Sequence, residues 1–139
     1  MLSLSTIVGD SMIESYTVQC TEPGSIRFQT VNYHSSPPHA VDVVFSGVVA
    51  HHFQDTMRAS VIFDIEEVLI SDLLAPTHPA VVQYYQQFST YYQVDPSTSI
   101  AATVEFLQQR GIRGFEIVSS CGLCGWVLAA DVAWFEPSA

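Results

Sequence analysis

Six stretches of the chain carry the hydrophobic pattern of β-strands. Each is short, rich in β-branched and aromatic residues, and bounded by turn-forming residues. In the strongest, VDVVFSGVVAHHF, Gly47 predicts a bulge or the close approach of another backbone segment. The predicted strands are Ile13–Cys20, Ile26–Tyr33, Val41–Phe53, Ser60–Glu66, Phe115–Ser119 and Trp126–Ala130.

Between the fourth and fifth predicted strands, the hydrophobic period changes to that of a helix. In Pro79–Tyr92, apolar and aromatic residues recur at helical spacing, and proline suits a first helical turn. A second helix is predicted to begin at Asp95-Pro96-Ser97 and to end at Gly111. Its apolar face consists of Ile100, Val104 and Leu107.

Turn-forming residues indicate how the strands connect. Glu22-Pro23-Gly24-Ser25 predicts a tight turn between the first two strands. The segment His34–His39 is expected to be a loop, because its consecutive prolines cannot join a ladder of backbone hydrogen bonds. We expect Ser60–Glu66 to form a hairpin with Val41–Phe53.

This order of elements predicts an α+β fold: an antiparallel β-sheet of about six strands with two helices packed on one face. A chain of 139 residues is expected to form a single domain, residues 1–139, that buries its own hydrophobic core. The strongest strand patterns should supply that core. The predicted core residues are Phe45, Val48, Ile62, Phe63, Phe115, Ile117, Trp126 and Leu128.

The charge composition is strongly acidic. Fourteen Asp and Glu residues accompany four arginines and no lysine, which gives a formal net charge of −10. A phosphate backbone would repel such a chain, so nucleic-acid binding is not expected. The charge could attract a basic protein, or it could serve solubility alone.

Several features indicate a cytoplasmic protein. No apolar run approaches the roughly 18 residues of a membrane helix, so no membrane association is expected. The N-terminal MLSLSTIVGDSMIES lacks the basic region of a signal peptide. Three cysteines without a secretion signal suit a reducing compartment.

The stretch CGLCG places Cys121 and Cys124 at the spacing of zinc knuckles and redox pairs. A redox pair usually precedes a helix, whereas a predicted strand follows here. Structural zinc needs four ligands, usually two such pairs, and the sequence offers no second pair. We therefore expect a glycine-rich turn without metal or cofactor, with zinc binding as the alternative.

Asp64 and Glu66 lie two residues apart in a predicted strand, so their carboxylates share one face. Paired carboxylates can perform acid–base catalysis or hold a divalent ion, especially beside a histidine. His51 and His52 are adjacent in a strand and should point to opposite faces, which disfavours a shared metal ion. The sequence has no Gly-x-Ser-x-Gly elbow, phosphate-binding loop or dinucleotide fingerprint, so an enzyme is not expected.

A long segment from Leu73 to Val94 contains no Asp, Glu, Lys or Arg, although it includes a predicted helix. A neutral, tyrosine-rich helix suits a protein interface, because aromatic side chains supply contact area at low entropic cost. Tyr84 and Tyr91 are candidate contact residues. The helix could also mediate a homodimer, or it could simply pack on the sheet.

Three segments, VDVVFSGVVAHHF, ASVIFDIEEV and GWVLAADV, resemble those of small, acidic, largely uncharacterised bacterial proteins. That group includes candidate immunity partners of polymorphic toxins. The resemblance covers residues 41–68 and 112–132 and is one of pattern rather than of a diagnostic motif. It implies a cytosolic binding protein without catalytic activity.

The leading hypothesis is a non-enzymatic immunity or accessory protein that binds a basic protein through an acidic surface. One alternative is an enzyme or metal-dependent protein that uses Asp64 and Glu66 with a histidine. Another is a structural homo-oligomer assembled through the tyrosine-rich helix. The expected partner-binding residues are Asp64, Glu66, Glu67, Asp72, Tyr84 and Tyr91.

Overall fold

The computed structural model describes residues 1–74 and 99–137. Within them the protein is α+β, with an antiparallel sheet of eight strands and three helices, more than the sequence predicted. The strands are β1 (Met12–Gln19), β2 (Ser25–Asn32), β3 (His39–Ser46), β4 (Ala50–Gln54), β5 (Val61–Val68), β6 (Arg113–Cys121), β7 (Cys124–Ala129) and β8 (Asp131–Phe135). The helices are α1 (Ser5–Val8), α2 (70–74) and α3 (Ile100–Gln109).

The sheet closes on itself. Its strand order is β4-β7-β6-β5-β1-β2-β3-β8. Along the chain, β4 follows β3 after residues 47–49, and β8 follows β7 after Ala130. Because β3 pairs with β8 and β4 pairs with β7, the segment β3–β4 runs antiparallel beside the segment β7–β8, and this pairing closes the sheet. The ring of Phe53 in β4 accordingly lies 5.9 Å from that of Tyr16 and 5.6 Å from that of Phe28.

Gly47 explains why the predicted strand Val41–Phe53 becomes two strands. Its φ of 62° lies in the left-handed region that favours glycine. A Cβ at this position would lie 2.8 Å from the Cβ of Ala130, so the predicted close approach is present. The bend leads β4 to β7, and the expected hairpin between Val41–Phe53 and Ser60–Glu66 is wrong. Its second member, β5, pairs with β1 and β6.

The N-terminal residues extend the edge of β5, a feature that the sequence did not predict. β1 meets β5 only where Met12 pairs with Val61. Beyond that point, backbone hydrogen bonds join residues 2–11 to β5, including Leu4 N to Ile65 O at 2.9 Å. The short helix α1 lies in this segment, and its Val8 is fully buried in the core.

The main hydrophobic core fills the closed sheet. Phe45 and Phe115 meet inside it, with their ring centroids 5.5 Å apart. The prediction of a buried position is confirmed for Phe45, Ile62, Phe115, Ile117 and Leu128, whereas Val48 and Trp126 are half-buried. It is wrong for Phe63, which is 61% exposed. Phe63 follows the inward-facing Ile62, and adjacent residues of a strand point to opposite faces. The bulge between Ile62 and Asp64 then lets Ile65 face the core as well.

A second apolar cluster joins α2 and α3 to the outer face of the sheet. It includes Leu74, Leu107 and Leu128, all fully buried. The predicted apolar face of the second helix is confirmed, since Ile100 and Val104 also pack on this cluster. Ser99 caps α3, its Oγ accepting a hydrogen bond from Ala102 N at 3.2 Å.

The predicted helix Pro79–Tyr92 and the predicted start Asp95-Pro96-Ser97 lie outside the described residues. Not every helix packs on the predicted single face, because α1 joins the main core while α2 and α3 belong to the outer cluster. Among the described residues, no helix has both the length and the apolar character needed to cross a membrane.

Candidate functional site

A row of four side chains crosses the outer face of β5, β6, β7 and β4. Glu66 is paired in register with Glu116, Glu116 with Trp126, and Trp126 with His52. Residues paired in register across antiparallel strands lie on the same side of the sheet. We call these four residues, Glu66, Glu116, Trp126 and His52, the outer-face row.

A groove with a volume of about 710 Å³ lies along three of these four residues. Glu116, Trp126 and His52 line it, and Leu73 of α2 borders it. Gln54 and Cys124 add further polar atoms. The groove therefore combines a carboxylate, an indole and an imidazole in one concave surface, as binding sites commonly do.

The described helices cover only the neighbouring part of this face. Leu73 packs so closely over Gly114 in β6 that a Cβ there would lie 3.0 Å from Leu73 Cδ1. Two residues further along β6, Glu116 is half-buried and lines the groove, as does its partner Trp126. The packing of α2 thus sets one border of the groove.

The two adjacent histidines point to opposite faces of β4, as predicted. The ring of His52 stacks on that of Trp126, with centroids 6.2 Å apart and planes inclined by 28°. The ring of His51 instead lies 5.0 Å from that of Phe53. Burial lowers the pKa of His51, because a buried imidazolium is poorly solvated, and the charge of His52 adds to this effect.

Asp64, an expected partner-binding residue, is buried and hydrogen-bonded within the chain. Only 8% of it is exposed. Its carboxylate accepts hydrogen bonds from Ser3 Oγ at 2.9 and 3.0 Å and from Leu4 N at 3.1 Å. These bonds hold the N-terminal segment against β5, so this carboxylate is already occupied.

Glu67 is likewise engaged within the chain. Its carboxylate accepts hydrogen bonds from Arg113 at 2.8 and 3.2 Å. These bonds, strengthened by the charge of Arg113, hold the pKa of Glu67 below its ordinary value despite partial burial. Arg113 also reaches Asp131 at 3.2 Å.

The remaining expected site residues have different surroundings. Glu66 belongs to the outer-face row and is half-buried. Asp72 is exposed on α2, next to the groove-lining Leu73. Tyr84 and Tyr91 lie outside the described residues, so their expected role stays a prediction.

CGLCG connects β6 to β7, as predicted, and it inserts Leu123 into the core. Leu123 is 1% exposed, and its N–H donates to Ser60 Oγ at 2.9 Å. The thiols have different neighbours, because Cys121 Sγ lies 3.6 Å from Ala59 O and Cys124 Sγ lies 4.0 Å from Asp55 Oδ2. Within residues 1–74 and 99–137, no three His, Cys, Asp or Glu side chains are arranged to hold a metal ion.

Sequence reasoning did not predict that Glu116, Trp126 and His52 line one groove. A usable signal was present, because a hairpin around CGLCG brings Phe115–Ser119 beside the strand that begins at Trp126. The exact pair could not be derived, since the last pair is Ile117 with Gly125, so residues 118–124 separate the paired parts of the two strands instead of the five residues of CGLCG alone.

The resemblance to small acidic bacterial proteins stays an expectation. None of the protein-family models, curated proteins or solved structures with which the chain was compared matches it.

Proposed function

We propose that this protein is a non-enzymatic binding protein that attaches to a basic protein through its acidic surface, as a cytoplasmic immunity or accessory protein would. One observation carries the proposal: the few cations of the chain are largely used within it. Arg27 pairs with Asp42, Arg113 pairs with Glu67 and Asp131, and Arg110 lies over the ring of Phe106.

The surface that remains is predominantly negative. Thirteen of the fourteen acidic residues lie in the described ranges, and only Asp42 and Asp64 of these are buried. Most of the others have no arginine within ion-pairing distance among the described residues. A surface of this kind raises the association rate of a positively charged partner.

The opposition of Glu66 and Glu116 adds a local argument. Like charges placed directly opposite each other on neighbouring strands are destabilising. A cation from a partner would relieve that repulsion, so binding and local stability would be coupled. The alternative enzyme built on Asp64 and Glu66 is less well supported, because the carboxylate of Asp64 is held by Ser3 and Leu4.

The test is capture of a partner from cell extract of the source organism, followed by purification of the captured protein. We expect a basic protein whose affinity falls with increasing salt and falls again in the double variant E66Q/E116Q. The matched control is E22Q/E105Q, which makes the same change in net charge at two exposed positions. An acidic partner, or binding that is insensitive to salt, would refute the proposal.

A further inference from the structure

The chain's own arginines show how this protein binds a guanidinium group. Arg27 Nε donates to Asp42 at 2.9 Å, and its guanidinium lies 5.1 Å from the ring centroid of Phe135. Arg113 donates to Glu67, and its guanidinium lies 5.1 Å from the ring centroid of Phe115. In both cases a carboxylate accepts hydrogen bonds from the guanidinium while the guanidinium carbon lies over an aromatic ring.

Glu116 and Trp126 present the same combination. They are paired in register on the outer face and line the same groove. Glu66 is paired in register with Glu116 and places a second carboxylate next to the groove, outside its lining residues. Indole is the best of the aromatic rings for a cation, and a pair of carboxylates can engage several guanidinium donors.

The chain itself supplies no arginine or lysine to this groove. It has no lysine, and its four arginines all lie in the described residues. Arg27, Arg110 and Arg113 have the partners given above. Arg58 lines a separate cavity beside Glu14 and Tyr16.

From this we infer that the groove is the recognition site for an arginine side chain of the partner, a refinement that rests on the proposed function. Glu116 and Glu66 accept the guanidinium N–H groups, and Trp126 stacks on its plane. Arginine suits the groove better than lysine, because its planar, weakly hydrated guanidinium group can donate to carboxylates from its edge while its face stacks on an aromatic ring.

The test uses a short peptide, acetyl-Gly-Arg-Gly-amide, and the full chain. The control peptide carries citrulline, which keeps the shape of arginine but has no charge. Binding is followed by two-dimensional NMR through the indole N–H of Trp126, which the W134F variant distinguishes from the chain's other tryptophan. We expect the arginine peptide to shift this resonance and those of Glu116 and Glu66, and the citrulline peptide to leave them unchanged.

Variants provide the second measurement. E116Q should weaken binding of the arginine peptide by about tenfold, as loss of a charge-assisted hydrogen bond predicts, whereas E22Q should change it less than about twofold. Equal binding of the citrulline or a lysine peptide, or shifts confined to another surface, would overturn the inference. The chemical-shift changes that the peptides cause in the unaltered protein test the inference even if a variant fails to fold.

The two proposals can fail separately. A basic partner that binds E66Q/E116Q as tightly as the unaltered protein would overturn the arginine site and leave the proposed function standing. Failure to find any basic partner, together with arginine-specific shifts in the groove, would refute the proposed function and support the site.

Discussion

Glu66 and Glu116 stand directly opposite each other on the outer face of β5 and β6, with Trp126 next to Glu116 on β7. Two carboxylates in this relationship repel each other, and none of the chain's arginines is paired with either of them. By contrast, the buried Asp42 has Arg27, and the half-buried Glu67 has Arg113. The chain thus satisfies these structural carboxylates internally and leaves Glu66 and Glu116 without an arginine partner.

Neutralising one member of this pair should stabilise the folded protein. We expect E116Q to raise the free energy of unfolding by about 0.2–1 kcal/mol at neutral pH and low salt, because it removes a like-charge cross-strand contact. Chemical denaturation measures this difference, which should shrink at high salt. E22Q is the control, since Glu22 is exposed in the turn between β1 and β2. A destabilised E116Q would show that Glu116 has an internal role.

The ion pair between Glu67 and Arg113 should make stability depend on pH. The pKa of Glu67 is lowered in the folded state, so the pair stabilises at pH values above the ordinary 4.5 and loses this effect as the pH falls through the folded-state pKa. We expect E67Q to cost about 1–3 kcal/mol at neutral pH, with a smaller difference in acid. Denaturant midpoints over this range provide the measurement, and a pH-independent difference would contradict the assignment.

Local sequence signals predicted the parts of the fold that depend on local structure. The Pro23-Gly24 turn between β1 and β2 is present, and the apolar face of α3 packs as its spacing predicted. Strand pairing was harder to predict, because it depends on contacts between distant residues. Gly47 lies against Ala130, which is distant in sequence, and the strands on either side of Gly47 pair with β8 and β7 rather than with β5.

The candidate site was likewise hard to predict, because it too depends on contacts between residues that are distant in sequence. Asp64 appeared available because its strand pattern carries no information about the N-terminal segment, yet Ser3 and Leu4 bind its carboxylate. Glu66 could be placed on a strand face from the sequence alone. Its neighbour Glu116 could not, because the register of β5 and β6 includes bulges that no local pattern shows.

Leu123, in the middle of CGLCG, should be important for stability. Its side chain is buried in the main core, so L123A should lower the free energy of unfolding by about 2–5 kcal/mol. The matched control is L69A, because Leu69 is 55% exposed and its truncation should change stability by less than about 0.5 kcal/mol. Thermal or chemical denaturation compares the two. Equal effects would show that Leu123 does not anchor this loop.

The cysteines of the same loop should not bind stoichiometric zinc. Cys121 faces a backbone carbonyl and Cys124 faces Asp55, and a zinc site needs further ligands with suitable geometry. Elemental analysis of protein purified without chelator should find far less than one zinc per chain. The opposite result, lost in the variant C121S/C124S, would assign this loop to metal binding.

The rate of association with a basic partner should fall with increasing salt, and Glu66 and Glu116 of the outer-face row should contribute to this dependence. Long-range attraction is screened within about 8–10 Å at moderate salt, so it mainly affects the association rate. Asp64 and Glu67 are unsuitable for this test, because changing them would disturb the bonds to Ser3 and Arg113.

The suitable variant is E66Q/E116Q, with E22Q/E105Q as the control of equal net charge. In stopped-flow or surface-binding measurements, we expect E66Q/E116Q to associate more slowly and with a flatter salt dependence than the control. Its dissociation should also accelerate if the carboxylates contact an arginine directly, because short-range bonds govern the lifetime of a complex. Equal slowing in both variants would mean that net charge alone steers the partner. No change in either would limit the acidic surface to a role in solubility.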